Sequence, residues 1–230
     1  KRLNWYRISR HKVQNLAMEQ FLESVFGPHH PYGRKVSEKD FEGISPPLLQ
    51  DFHAKFYRPE KLTAIVSGRI NEKTVELFEK YFGGLRTGNI YIEDPRNVIK
   101  ASNERKIHIS RKEALQTSFR IGSTTINKRH PDYPGLKLVN VILGGYFGSR
   151  LMKNLREDKG FTYGIHSSVS SLDLSGFKVI STEISKEHRD KAIDEIYEEI
   201  RHLQEEPVPA CELEVVRSYM TGEMVRLFDG

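Results

Sequence analysis

The chain has 230 residues, 37% hydrophobic and 29% charged, and carries a formal charge of +5 from 36 Lys and Arg against 31 Asp and Glu. That balance suits a folded protein of one large or two modest domains, and it excludes a disordered tail. The two signs are interspersed, without the basic stripe and interleaved aromatics of a nucleic-acid surface, so nucleic acid is not an expected partner. No uninterrupted apolar run approaches the length of a membrane span, so no membrane insertion is expected. A single cysteine, Cys211, excludes an internal disulfide and a thiolate metal cluster. One cysteine fits the cytoplasm and a bacterial envelope equally, so the compartment is not readable. The chain begins at Lys1 without Met and ends at Gly230 beside an amphipathic stretch, which reads as a piece of something longer.

In chain order, Val13, Leu16, Ala17, Phe21 and Val25 lie at helical spacing between His11 and Phe26, and Gly27-Pro28 stops the helix. Ser45-Pro46-Pro47 starts a second helix, with Leu48, Leu49, Phe52 and Phe56 on one face down to the Arg58-Pro59 break. Leu62 to Ser67 (LTAIVS) predicts a buried strand. Asn71 caps a further helix with Val75, Phe78, Tyr81 and Phe82 inward, closed by Gly83-Gly84. Residues 87–100 hold Gly88, Pro95 and several charges without a firm period, and read as a linker.

Beyond it, Lys106 to Ser110 and Leu115 to Ser123 read as strands. Leu136, Val139, Ile142 and Leu143 share a helix face before the Gly144-Gly145 break, and a short helix through Leu151 and Leu155 follows. Tyr163 to Val169 and Gly176 to Ile184 alternate as an antiparallel pair joined through Leu172-Asp173. Ala192, Ile193, Ile196, Tyr197, Ile200 and Leu203 form the clearest amphipathic helix. Leu213, Val216, Met220, Leu227 and Phe228 begin a last one. The fold class is therefore α+β, with an antiparallel-rich sheet and helices packed on one face. A short echo, HPYG at His30 and HPDYP at His130, hints at two related units.

Chemistry concentrates between Leu143 and Ser167. Arg156 on the short helix and Tyr163 at the next strand start can converge across the turn at Gly160. Guanidinium and phenol are both donors, so together they suit a carbonyl oxygen, including one gaining charge during hydrolysis. The ordinary alternative is that Arg156 pairs with a neighbouring Glu and Tyr163 packs.

The series HPDYP, VILGGYFGSRL and NLREDKGFTYGI, preceded by FGPHHPYGR and FHAKFYRPEKLTAIVSGRI, resembles the insulinase/pitrilysin family of zinc peptidases (inverzincins) almost from end to end. It is most similar to the bacterial processing-peptidase-like members. The resemblance implies two related α/β-sandwich-type domains: 1–86 as the C-terminal part of a first, N-terminally truncated domain, and 101–230 as a second, C-terminally truncated one. It also implies that Arg156 and Tyr163 contact the substrate main chain near the scissile bond, while Gly144, Gly145, Ser149 and Arg150 shape the turn that positions them. Phe161 and Thr162 depart mildly from the small or aliphatic residues that often precede the Tyr.

Zinc hydrolysis needs two imidazoles on one helical face, a third ligand and a Glu base. The family motif HxxEH is absent, no two His lie at i, i+4, and residues 1–18 contain no Asp or Glu where the family's third ligand is sought. No metal site or resident cofactor is thus expected in this segment, and the chain is predicted inactive alone. The resemblance places zinc in the parent or in a homologous zinc-bearing subunit or domain. The expected role is that of a non-catalytic subunit holding an extended peptide, with Leu115 to Ser123 as the free sheet edge. Two alternatives stand beside it: a fragment of a complete zinc endopeptidase with HxxEH upstream of Lys1, and an assembly scaffold that cleaves nothing.

Overall fold

The computed structural model describes residues 1–57, 62–84, 98–112, 114 and 116–228. Contacts sort the chain into two compact units, residues 1–35 together with 98–230, and residues 36–97. Most of the expected linker, 87–100, lies outside the described residues.

The larger unit opens with α1 (Arg2–Ser9) and α2 (Val13–Phe26). Then come β1 (Gln116–Thr125) and α6 (Tyr133–Asn140), the intervening helices α3 to α5 belonging to the smaller unit. Two π-helical turns follow, Val141–Gly145 and Met152–Asp158, and lead into β2 (Thr162–Ser171) and β3 (Gly176–Ser185). The unit closes with α7 (Arg189–Glu205) and α8 (Ala210–Phe228). The three strands form an antiparallel sheet in the order β1-β3-β2. β1 runs in unbroken register along β3 from Gln116 opposite Ser185 to Thr125 opposite Gly176. β2 pairs with the other edge of β3 and slips between Thr162 and Ile165.

Successive side chains of a strand point to opposite faces, so β3 serves two cores. Phe177 and Val179 meet Phe21 and Phe26 of α2. Ile180 and Ile184 meet Leu151, Leu155, Ala192 and Ile196 on the other face. A third cluster joins Val141 and Ile142 to Val216 of α8. Each buried Leu, Ile or Phe contributes about 1.5–3 kcal/mol by leaving water. The α+β class with an antiparallel sheet is as the hydrophobic pattern indicates, and α2 in addition covers the second face.

The smaller unit holds α3 (Glu38–Glu42), α4 (Pro46–Phe56) and α5 (Glu72–Phe82). Their ends are capped as the sequence predicts: Ser45 Oγ accepts from Leu48 N at 3.4 Å and Asn71 Oδ1 from Thr74 N at 3.1 Å. None of the unit's described residues is buried, and Leu48, Leu49, Phe52, Val75, Tyr81 and Phe82, expected to point inward, are exposed.

Two strand expectations are corrected. Leu62 to Ser67 is irregular, with Ile65 exposed, and Lys106 to Ser110 is likewise without strand structure. An apolar run becomes a strand only when a neighbour takes its N–H and C=O groups. No described residue pairs with either stretch. Helices α1 and α3 carry too few periodic apolar residues to be read from sequence.

Leu155 is fully buried between the sheet and α7. Leu155→Ala is expected to cost about 2–5 kcal/mol, read as a lower denaturant midpoint at unchanged slope.

Candidate functional site

The site grows from the segment between α6 and β2. Asn140, buried at the end of α6, donates from Nδ2 to Ser167 O at 3.0 Å and accepts from Ser167 Oγ at 2.7 Å. This pair ties the turn Val141–Gly145 to β2. Gly144 follows at a point where a Cβ would lie 2.8 Å from Ser167 N and 2.7 Å from Ser167 Cβ, so only glycine fits. Gly145 is nearly as crowded, with Asn140 O 3.2 Å from its would-be Cβ.

Ser149 is 1% exposed; its N–H donates to Tyr146 O at 3.2 Å and its carbonyl accepts from Lys153 N at 3.0 Å. Among the described residues its Oγ has no partner. Arg150 makes a two-pronged ion pair with Glu212 of α8, Nε to Oε1 at 2.9 Å and Nη2 to Oε2 at 2.7 Å. The Arg150 bond holds the Glu212 carboxyl below its usual range, against the opposing effect of burial. So Gly144 admits β2, Gly145 sits close against Asn140 and Val141, Ser149 starts the next helical turn, and Arg150 bolts that turn to α8.

Arg156 projects from the turn Met152–Asp158. A π-helical turn shifts the phase of the residues after it, a device frequent at functional sites. The guanidinium carbon lies 4.6 Å from the centroid of the Phe147 ring. Among the described residues no carboxylate pairs with Arg156. The ordinary alternative, a Glu partner, is therefore absent there.

Gly160 adopts φ +62°, in the left-handed region, and turns the chain into β2. The slip in register at Thr162 to Ile165 then throws Tyr163 outward, where it is 92% exposed. Thr162 Oγ1 donates to Glu183 O at 2.8 Å and accepts from Gly164 N at 3.1 Å, and Thr182 Oγ1 donates to Gly164 O at 2.9 Å. These bonds make the irregularity a fixed shape.

Arg156 and Tyr163 line one groove of about 480 Å³, together with Thr162, Gln116, Glu183 and His188. It lies where β1 and β2 begin and β3 ends, since Gln116 is opposite Ser185 and Thr162 opposite Ile184. Glu183 Oε1 accepts from Ser118 Oγ at 3.0 Å and from Arg120 Nη2 at 3.4 Å. His188 stacks on Phe161 with centroids 4.7 Å apart. The expected edge strand, now β1, lies at one edge of the sheet, whereas Tyr163 belongs to β2 at the other. β1 reaches the groove through Gln116.

Arg156 and Tyr163 are legible in the sequence, whereas Gln116, Glu183 and His188, which line the groove, and Phe147, which meets Arg156, are not singled out there. Only Phe147 carried a local signal, an aromatic beside the Gly-Gly break. The others come from strand ends whose meeting depends on sheet order.

The histidines do not fit a zinc centre. His30 is buried between Phe26 and Tyr32, His53 stacks on Tyr57, and His188 stacks on Phe161. Among the described residues no three His, Cys, Asp or Glu groups are placed to hold a metal. Among them, too, no helix is long and apolar enough to cross a membrane.

A small antiparallel sheet between helices, with a groove at one end of it lined by Arg156 and Tyr163, defines an α+β domain. Residues 43–220 match the family model described as the Peptidase M16 inactive domain, and the chain belongs to that family. It is 26% identical over 198 residues to the uncharacterized zinc protease YmxG of Bacillus subtilis, covering 84% of this chain and 46% of that protein. It is 24% identical over 179 residues to the non-peptidase homolog YmxG of Helicobacter pylori, covering 76% of this chain and 40% of that protein. Among solved structures, a peptidase M16 inactive domain from Pseudomonas fluorescens superposes with a TM-score of 0.79 at 24% identity, over 97% of this chain and 54% of that one. The chain spans less than half the length of these curated relatives.

Replacing Glu212 with Gln should lower stability by about 1.5–3 kcal/mol at neutral pH. A depressed carboxyl stabilises the fold above the unfolded pKa, near 4.5, and the benefit is lost as pH falls through the lower folded value. Wild type and variant should therefore converge in acid, measured as denaturant midpoint against pH. Gly144→Ala should destabilise by about 1–3 kcal/mol, because the new methyl meets Ser167 N and Cβ, which cannot move aside without shifting the backbone.

Proposed function

We propose that this chain is the substrate-holding part of an insulinase/pitrilysin-type zinc peptidase, gripping an extended peptide backbone while the metal is brought by a homologous subunit or domain. The observation that carries this reading is the convergence of Arg156 and Tyr163 on one groove, the Arg without a carboxylate partner among the described residues and the Tyr almost fully exposed. Two donors at one place, with no hydrogen-bond acceptor of their own among the described residues and on elements joined by the Asn140–Ser167 pair, are pre-set for an acceptor that arrives from outside.

The acceptor is a peptide carbonyl. Arg156 and the Tyr163 hydroxyl donate to its oxygen, and both bonds strengthen as that oxygen gains charge. The polypeptide lies extended along a strand edge, its main chain adding to the sheet. When bound in the partner, zinc supplies a hydroxide nucleophile and polarises the carbonyl. The role of this chain is to orient the peptide and shield the bond, and alone it hydrolyses nothing.

One other reading draws support from a specific observation, since the relative from Bacillus subtilis is called a zinc protease. In that reading the full-length protein carries HxxEH upstream of Lys1 and is an enzyme in its own right. The name of the Helicobacter pylori relative, a non-peptidase homolog, favours instead a scaffold in which Arg156 and Tyr163 merely pack.

In the full-length protein combined with its zinc-bearing partner, Arg156→Ala should lower kcat/KM at least about tenfold, the worth of one charge-assisted hydrogen bond. Tyr163→Phe should lower it by about fivefold, with melting temperature and partner binding unchanged for both. Wild-type turnover in both variants would remove the substrate-holding role and leave the scaffold.

A further inference from the structure

An aromatic side chain outside the groove lining meets one of the residues that line it. Phe147 is 62% exposed, in the short stretch between the Gly144-Gly145 break and buried Ser149. An exposed phenylalanine there serves none of the three apolar clusters. Its only described ring contact is the Arg156 guanidinium, at 4.6 Å. The neighbouring residues restrict where that ring can go. Tyr146, its ring tilted by 30° against that of Tyr219 of α8 with centroids 5.0 Å apart, anchors the residue before it. Gly148 fits because a Cβ there would stand 2.9 Å from the Tyr146 ring.

From this geometry we infer that Phe147 is a positioning residue for Arg156, a fixed aromatic platform that aims the guanidinium into the groove; the inference rests on the substrate-holding reading above. A long cationic side chain without a carboxylate partner samples many rotamers, and ordering it on peptide binding costs free energy. An aromatic face removes much of that freedom while leaving the guanidinium N–H donors in its plane free to bond a carbonyl. A carboxylate partner would hold the Arg as well, but it would occupy the donors that the peptide needs. Stacking therefore suits a grip in a way that ion pairing does not.

The test uses the full-length protein, with fluorescein-labelled β-casein as an extended polypeptide probe read by anisotropy, and with the Arg156 side-chain Nε–Hε resonance read by NMR. Phe147→Leu should weaken casein binding about two- to fivefold, and Phe147→Trp should restore it. The Arg156 resonance should be displaced by the ring current in wild type and the Trp variant, and return to the ordinary arginine position in the Leu variant. Melting temperatures should not move. Unchanged binding by Phe147→Leu, with Arg156→Ala still weakened, would overturn the positioning role and leave the groove reading intact. Equal losses in the Leu and Trp variants would also overturn it, since Phe147 would then contact the peptide itself. If wild type does not bind casein, or Arg156→Ala binds as wild type does, the groove reading fails and the positioning role with it.

Discussion

What faces the groove hangs on the contact between the turn Val141–Gly145 and strand β2. Gly144 lets the turn come so close to Ser167 that no side chain could intervene, and Asn140 locks the approach with two buried hydrogen bonds. A buried amide with both partners in place is worth far more than the same group left half-satisfied, so this joint has one arrangement. Downstream of it, Ser149 starts the next helical turn and Arg150 fastens that turn to α8 through Glu212. Arg156 leaves from the end of that segment and Tyr163 from the start of the strand the joint secures. Arg156 and Tyr163 are thus set by one corner, although they sit on different elements.

The corner also explains why donors can remain free. Among the described residues no carboxylate pairs with half-buried Arg156, and Tyr163 is almost fully exposed. The π-helical phase aims Arg156 at Phe147, and the slipped register of β2 turns Tyr163 out of the sheet. Free donors at a fixed place reduce what must be ordered when an extended peptide arrives. Of the histidines, His30, His53 and His188 are engaged in aromatic packing.

Much of the fold was legible in the sequence where local signals agree. Helices α2, α4 and α5 each combine an apolar period with a start or stop residue, α7 has the clearest amphipathic period, and β2 and β3 alternate well enough to read as a pair. Leu62 to Ser67 and Lys106 to Ser110 misled because a strand depends on a neighbour that local sequence does not reveal. Arg156 and Tyr163 were legible through the glycines and the turn around them, since backbone demands leave a sequence trace. Glu183, Gln116 and His188 were not, because strand order alone brings them there. The seat of Arg156 on Phe147 was hidden as well: nine positions apart, the two meet only because a π-helical turn intervenes.

The claim that the groove holds a polypeptide is tested most directly by mapping where one binds. Isotope-labelled full-length protein titrated with unlabelled β-casein, with amide chemical shifts followed by NMR, reads this residue by residue. The account predicts that the largest shifts fall at Gln116, Arg156, Gly160 to Tyr163 and Glu183, around the groove. Shifts confined to other surfaces, or none at saturating casein, would contradict it.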